Sequence, residues 1–106
     1  MTLEGKVKTF IDVRMKTWFP DAIKYSPPGV GRFGKNGFPD RLWFIGKPEY
    51  GITVAIEAKD DGKDTTSLQK KCLKDLSRVG VLCAVVRGRD EDKMNMIRKL
   101  ILEKLK

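Results

Sequence analysis

The sequence predicts an α/β fold in which helices pack on a mixed β-sheet, with the element order α-β-β-β-α-β-α. Two strand segments joined by a glycine-rich turn predict an antiparallel hairpin. The segment that leads from the strand at 52–59 through a helix to the apolar run at 81–86 is typical of a parallel crossover. With 106 residues, 41% of them hydrophobic, the chain is expected to form one domain, residues 1–106, around a single core.

Apolar periodicity, capping residues, glycine and proline place the individual elements. Pro20 stops the first helix, Gly80 ends the second, and Asp90 or Asp92 caps the last. An irregular loop with four glycines and two prolines is expected at 26–37. In chain order we predict a helix at 3–18, strands at 22–25, 41–45 and 52–59, a helix from 64–66 to about 79, a strand at 81–86 and a final helix to the C-terminus.

The same periodicity predicts which side chains are buried. The expected inward stripes are Leu68, Cys72, Leu76 and Val79 in the second helix and Met94, Ile97, Ile101 and Leu105 in the last. The continuous apolar run at 81–86 is typical of a strand that is buried on both faces. Trp43 and Phe44 are expected in the core, which would leave no aromatic platform of the kind that single-strand binders use.

Charge narrows the choice of partner. The chain has 22 lysine and arginine residues against 14 aspartate and glutamate residues, a net charge of +8. This excess favours a polyanion such as nucleic acid, although many small proteins are basic for solubility alone. No apolar run reaches the roughly 20 residues that span a bilayer, and no signal-peptide pattern opens the chain. We therefore expect an intracellular protein that acts in the cytoplasm.

The chain contains no histidine. This excludes Ser-His-Asp and Cys-His catalysis, histidine-ligated zinc and nucleases that use a histidine base. Cys72 and Cys83 do not complete a zinc site by themselves, and their apolar surroundings predict buried free thiols. Hydrolytic chemistry in this chain would therefore depend on carboxylates, lysine and a hard metal ion.

Glu57 and Lys59 lie at the end of an otherwise apolar strand and point to the same face, because side chains alternate along a strand. If the hairpin turn is centred between 46 and 52, the numbers of paired residues sum to about 97 or 98, which puts Asp40 opposite Glu57 or its neighbour. Facing carboxylates repel each other unless a divalent cation lies between them, and oxygen ligands suit Mg²⁺ or Mn²⁺. Without that register, the pair is an ordinary strand end with a weak ion pair.

Two further polar residues depart from the helical pattern. Glu4 continues the apolar stripe of the first helix one turn towards the N-terminus, where an apolar residue is expected. A glutamate in the first turn also complements the helix dipole, so a role in a site and a role in the helix are equally supported. Gln69 borders the apolar stripe of the second helix and is either a site residue or a plain boundary residue.

Four segments follow one another in a specific order: Gly37-Phe-Pro-Asp-Arg41, Ile56-Glu-Ala-Lys59, Thr66-Ser-Leu-Gln-Lys70 and Gly80-Val-Leu-Cys-Ala-Val-Val86. This ordered set resembles the VRR-NUC nucleases, a compact branch of the PD-(D/E)xK superfamily. The family occurs in phage proteins and in a eukaryotic interstrand-crosslink repair nuclease. The resemblance extends from Glu4 to about Val86 and implies a restriction-endonuclease-like fold. Phe38 replaces the more usual valine, at a position that does not bear on the chemistry.

The resemblance also implies roles for individual residues in Mg²⁺- or Mn²⁺-dependent hydrolysis of DNA. Asp40, Glu57 and the Ala58 backbone carbonyl would hold the metal, and Glu4 would bind it directly or through water. Lys59 would orient or deprotonate the attacking water and offset charge on the phosphorane. Gln69 matches the family glutamine near the scissile phosphate.

Cations outside this set are candidates for DNA binding. Arg32 and Lys35 lie in the glycine-rich loop, whose backbone amides would approach phosphates, although a plain connector is equally plausible. The other candidates lie largely off the apolar stripe of the second helix, where they form either a DNA-binding or a solvated face: Lys70, Lys71, Lys74 and Arg78.

The small members of this family resemble resolvases of branched DNA, so we expect a structure-selective endonuclease that acts on four-way (Holliday) junctions. A homodimer would present two sites to two symmetric strands. Its interface is expected on the first helix and on the last, where Met96, Leu100 and Leu102 lie outside the apolar stripe, unless they complete a broad core-facing side. The alternatives are a flap, single-strand or non-specific nuclease, and a nucleic-acid-binding module with little activity. RNA also remains open as a substrate.

Overall fold

Helices and strands follow one another in the predicted order, α-β-β-β-α-β-α. They are seen in a computed structural model that describes residues 2–27 and 37–106. The elements are α1 (Leu3–Trp18), β1 (Ile23–Tyr25), β2 (Arg41–Lys47), β3 (Tyr50–Lys59), α2 (Ser67–Arg78), β4 (Leu82–Arg87) and α3 (Glu91–Lys104). Within the described ranges, no helix is long and apolar enough to cross a bilayer.

The four strands form one mixed sheet in the order β1-β2-β3-β4. β1, β2 and β3 pair antiparallel, whereas β4 pairs parallel with β3, as the hairpin and the crossover predicted. Because side chains alternate along each strand, the sheet has two different faces. We call the face that carries Glu57 and Lys59 the site face, and the opposite face the core face.

Helices α1 and α3 pack on the core face. Their buried side chains recur three or four residues apart: Val7, Ile11 and Met15 in α1, and Met94, Ile97 and Ile101 in α3. These residues form one apolar cluster with Trp43, Ile45, Val54, Ile56, Ala58 and Val86 of the sheet. The inward stripe predicted for α3 is confirmed for these three residues, whereas Leu105 is the C-cap and only partly buried, and Asp90 is the N-cap.

Ion pairs fix α1 against the sheet beside the site. Asp12 accepts from Arg41 Nε at 3.0 Å, and Lys24 Nζ lies 3.3 Å from its second carboxylate oxygen. One acidic residue of α1 thus contacts both β1 and β2. Its position on the helix brings the N-terminal turns of α1 towards Asp40, the residue before β2.

The β2–β3 hairpin is longer than predicted. The strands were expected to stop at 45 and to resume at 52, whereas pairing continues to Lys47 and Tyr50. Glycine makes this possible: Gly46 has φ +137°, and a Cβ there would lie 2.4 Å from the Tyr50 carbonyl oxygen. These glycines therefore allow the backbones of β2 and β3 to approach closely, where the sequence pattern had predicted a turn between 46 and 51.

Two burial predictions on the C-terminal half are wrong. β4 is an edge strand, so only Val86 is fully buried and the rest of the strand is partly covered. No residue of α2 is buried, and the predicted stripe leaves Leu68 and Val79 exposed. Both results have the same cause: β4 lies at the edge of the sheet, and α2 is the helix that covers this edge. Cys72 and Cys83 are free thiols, as predicted, but they are only partly buried.

The prediction that Phe44 lies in the core is also wrong, although Trp43 does. Phe44 lies on the site face and is 45% exposed. Beside it on edge strand β1, Ile23 and Tyr25 are 69% and 51% exposed, and they pair with Phe44 and Leu42. Helix α2 packs over β4, so these exposed side chains lie on the other half of the site face, where Leu42 is buried. An aromatic surface, which the sequence did not predict, thus lies on the same face as Glu57.

Candidate active site

Asp40 and Glu57 face each other where the β2–β3 ladder ends. Arg41 pairs with Ile56, so the same register places Asp40 opposite Glu57, as predicted. The Asp40 N–H donates to Glu57 Oε1 at 3.2 Å, and Asp40 Oδ2 accepts from the Ala58 N–H at 2.9 Å. Each carboxylate is therefore oriented by the backbone of the other strand.

The segment before Asp40 is packed against the start of α2. Gly37 has φ +80°, and a Cβ there would lie 2.6 Å from the Leu68 carbonyl and 2.8 Å from the Gln69 nitrogen. Only glycine fits this backbone conformation and close approach without strain. Pro39 is fully buried. This packing brings Asp40 and the first turn of α2 to the same place.

Gln69 joins α2 to Glu57. Its backbone and side chain form a capping box with Thr66, in which Gln69 Oε1 accepts from the Thr66 N–H at 2.8 Å. The other end of the same amide, Nε2, donates to Glu57 Oε2 at 2.8 Å. Gln69 thus holds the second oxygen of Glu57, and the structure places it in the site and not at a plain helix boundary.

Lys59 extends from the same strand face as Glu57. Its Nζ lies 3.8 Å from Glu57 Oε2, and both side chains are largely buried. A buried lysine next to a buried carboxylate offsets part of the negative charge of the site. The arrangement brings together the three residues that the sequence placed at the centre of the site, Asp40, Glu57 and Lys59.

Glu4 approaches the site through a residue that the sequence did not single out. Lys8 Nζ lies 3.6 Å from Asp40 Oδ1 and 3.7 Å from Glu4 Oε2. The only sequence signal was the four-residue spacing of Glu4 and Lys8 on α1, which is common in ordinary helix ion pairs. Glu4 is therefore near Asp40, with the Lys8 ammonium in contact with both carboxylates.

The electrostatics of Glu57 reflect its burial. The pKa of Glu57 is raised from its ordinary value of 4.5 to about 7, first by burial and then by the negative charges of Asp40 and Glu4, while Lys59 and the Asp40 N–H oppose the shift. The side chain is only 3% exposed. Glu57 is thus a carboxylate whose negative charge is incompletely compensated by the protein groups around it.

This raised pKa predicts how stability depends on pH when no metal is present. A folded-state pKa above the ordinary value means that Glu57 contributes stability fully below pH 4.5, and that this contribution is lost as pH rises through about 7. We expect the free energy of unfolding of Glu57→Gln, relative to the wild type, to rise by up to about 3 kcal/mol over this window. Denaturant unfolding of both proteins in EDTA at several pH values measures it.

The control is internal to that comparison. Glutamine offers one acceptor oxygen where the carboxylate offers two, so the variant loses one hydrogen bond at every pH. That loss changes the free energy of unfolding of the variant by the same amount at every pH. The difference between the two proteins in the pH dependence of this free energy therefore remains. Parallel curves for the two proteins would contradict a raised pKa at Glu57.

The donor chemistry of this pair fits a hard divalent cation. Two carboxylates and the adjacent Ala58 carbonyl are the oxygen ligands that Mg²⁺ and Mn²⁺ prefer. After burial, the negative charges of Asp40 and Glu4 also contribute to the raised pKa of Glu57. In the described part of the chain, no three acidic or cysteine side chains lie close enough together to hold a metal. The fit is therefore that of a two-carboxylate site, with Glu4 nearby and paired to Lys8.

The proposed DNA-binding cations are only partly described. Arg32 and Lys35 lie outside the described residues. On α2, the Lys70, Lys71 and Arg78 side chains are exposed and lie within 3.3 Å of carboxylate oxygens of Asp64 or Asp75. Lys74 is exposed as well. Exposed ion pairs are weak, so these cations remain accessible to a phosphate backbone.

A solved structure described as a VRR_NUC domain protein is similar to this chain. The TM-score is 0.64 at 20% sequence identity, and the similarity covers 99% of this chain and 92% of the other. At this identity, the similarity shows a shared fold, and it confirms the predicted restriction-endonuclease-like fold. No protein-family model and no curated protein matches the sequence.

Proposed function

We propose that this chain is a metal-dependent nuclease that hydrolyses DNA phosphodiester bonds at Asp40, Glu57 and Lys59. The observation that carries the proposal is the pair of carboxylates, each oriented by the backbone of the opposite strand at 3.2 and 2.9 Å, with a lysine beside them. Apposed carboxylates repel a phosphate, so a module that only binds nucleic acid has no use for them. The shared fold with a VRR_NUC domain protein supports the same conclusion.

The chain's own groups have distinct parts in this chemistry. Asp40, Glu57 and the Ala58 carbonyl would hold Mg²⁺ or Mn²⁺, which supplies charge neutralisation and a water of lowered pKa when bound. Gln69 keeps Glu57 in one orientation through its hydrogen bond to Oε2. Lys59, on the same strand face, would orient or deprotonate the attacking water and offset charge on the phosphorane.

We propose branched DNA, such as a four-way junction, as the preferred substrate and a homodimer as the active unit. Resolution of a junction needs two nicks in opposed strands, and a twofold axis supplies two sites from one sequence. Three exposed apolar residues on α3 lie outside its buried stripe and support an interface there: Met96, Leu100 and Leu102. The net charge of +8 favours the polyanionic partner.

A flap or single-strand nuclease is the second candidate, and a structural observation favours it. Tyr25 and Phe44 are exposed on the site face, on the half of the sheet that α2 leaves open. Aromatic side chains on an open sheet stack unpaired bases without sequence preference. Unpaired bases occur at flaps and single strands, so this surface fits a substrate with an unstacked segment.

The test is incubation of the purified protein with labelled duplex, single-stranded, flap and four-way-junction DNA in Mg²⁺, Mn²⁺ or EDTA. We expect cleavage with either metal, none in EDTA, and the fastest cleavage on the junction, with paired nicks in opposed strands. Sedimentation in the same buffers should give twice the mass of the chain.

Each arm of the assay decides a separate point. Cleavage that persists in EDTA would contradict metal dependence, and an absence of cleavage on every substrate would leave the binding module. Faster cleavage of the flap or single strand would favour the second candidate. A monomer mass with and without junction DNA would contradict the dimer.

A further inference from the structure

Lys8 of α1 contacts two of the acidic residues at the site and belongs to no role assigned above. Its Nζ lies 3.6 Å from Asp40 Oδ1 and 3.7 Å from Glu4 Oε2. Charge-assisted hydrogen bonds between an ammonium and a carboxylate are shorter, about 2.7–2.9 Å. The Lys8 ammonium therefore lies between the two carboxylates as a shared counter-ion, without a short bond to either.

The contact involves a particular oxygen of Asp40. Asp40 Oδ2 already accepts from the Ala58 N–H, so Oδ1 is the oxygen that faces α1. On Glu57, both oxygens accept hydrogen bonds, one from the Asp40 N–H and the other from Gln69. A cation that binds Asp40 through Oδ1 therefore meets Lys8 first.

The balance of charge in the site also points to Lys8. Within residues 2–27 and 37–106, three carboxylates, Glu4, Asp40 and Glu57, have two ammonium groups within 4 Å, Lys8 on the α1 side and Lys59 on the β3 side. Lys59 is confined, with 13% of its side chain exposed, whereas Lys8 is 30% exposed. Of the two, Lys8 has the room to move away from its carboxylates.

We infer that Lys8 is a displaceable counter-ion, which neutralises Glu4 and Asp40 in the metal-free protein and leaves Asp40 when a divalent cation binds there. The inference rests on the proposed metal-dependent function. Two cations that compete for the same carboxylates are negatively coupled, so each weakens the binding of the other. Once displaced, the ammonium stays tethered beside the site and becomes available to a phosphate of the substrate.

The first measurement is Ca²⁺ binding by calorimetry, since Ca²⁺ takes the same oxygen ligands. The variant is Lys8→Met, which keeps the length of the side chain and removes the charge. We expect it to bind Ca²⁺ roughly tenfold more tightly than the wild type, and to unfold at a lower temperature in EDTA. Lys8→Arg should restore wild-type behaviour in both measurements, because it keeps the cation. Lys6→Met, an exposed lysine of the same helix, is the matched control.

The second measurement separates displacement from a general charge effect. The readout is the slope of log K against log salt for DNA binding. In Ca²⁺ the slope of Lys8→Met should be shallower than that of the wild type by about 1, because the released ammonium of the wild type neutralises one phosphate. In EDTA, where Glu4 and Asp40 hold the ammonium, the two slopes should be equal. Lys6→Met should change DNA affinity by the same factor in both buffers. Circular dichroism of each variant confirms that it is folded.

Two failures are distinguishable. If wild-type protein binds no Ca²⁺ and cuts no DNA, the proposed nuclease function fails. If the wild type binds Ca²⁺ but Lys8→Met binds it no better than Lys6→Met, Lys8 is an ordinary surface ion pair and the inference is overturned. A slope of log K against log salt for Lys8→Met that equals the wild-type slope in Ca²⁺, or that is shallower by the same amount in EDTA and in Ca²⁺, would also overturn it.

Discussion

Replacement of Asp40 by asparagine or of Glu57 by glutamine will reduce DNA cleavage by roughly 10³-fold, while DNA binding persists or tightens. Loss of one group that stabilises transition-state charge costs about this much in other hydrolytic sites. Binding does not fall, because each change removes a negative charge that repels phosphate. Single-turnover cleavage in Mg²⁺ and DNA binding in EDTA, measured on the same protein, separate the two effects.

Matched controls make the same change of charge away from the site. Asp21→Asn and Glu49→Gln replace exposed acids before β1 and in the β2–β3 turn, at the end of the sheet away from Asp40. Both should cut DNA at the wild-type rate. If Asp40→Asn or Glu57→Gln also cuts normally, the proposed site is wrong. Unfolding curves in EDTA show whether a loss of cleavage comes from a loss of folding. We expect Asp40→Asn to stay folded, because asparagine keeps an acceptor for the Ala58 N–H.

The pairing of Asp40 with Glu57 was predictable because it depends on local rules. Side chains alternate along a strand, and a short turn leaves few choices of register. The glycines at 46 and 51 lengthened the hairpin without moving that register. The buried stripes of α1 and α3 were predictable for a similar reason, since a helix has one period and each of these helices packs on one face of the sheet.

Other features depend on which element covers which part of the sheet, and periodicity carries no such information. An apolar run predicts burial, but β4 lies at an edge and is only partly covered. Phe44 points to the opposite face from Trp43, as alternation predicts. It is exposed because α2 packs over the other half of the site face. These errors concern the order of the strands in the sheet and the helix that covers each strand. Tertiary packing sets both.

The residues that contact Asp40 and Glu57 had weaker but usable sequence signals. Thr66 and Gln69 have the spacing of a capping box, which fixes one end of the Gln69 side chain and directs the other. The sequence thus contains a signal that directs the Gln69 amide towards the end of β3. Lys8 had no signal beyond its spacing from Glu4, because its contact with Asp40 depends on how α1 lies against β2. Interactions between distant segments were the part that the sequence left undetermined.

Affinity for duplex DNA will fall by about a hundredfold between 50 and 200 mM salt if the four cations of α2 bind phosphates. Each neutralised phosphate contributes about −0.9 to the slope of log K against log salt, so that four contribute about −3.6. The prediction concerns the exposed lysines and arginine of α2, three of which are in weak ion pairs: Lys70, Lys71, Lys74 and Arg78.

Single charge removals test which surface is responsible for that slope. Lys74→Met should make it shallower by about 1, because one phosphate contact is lost. Lys99→Met removes the same charge from the exposed side of α3 and should leave the slope unchanged. Both variants have the same net charge, so any difference between them reports the position of the DNA. A nearly flat salt dependence of the wild type would contradict a basic DNA-binding surface. Equal slopes for the two variants would place the contact away from α2.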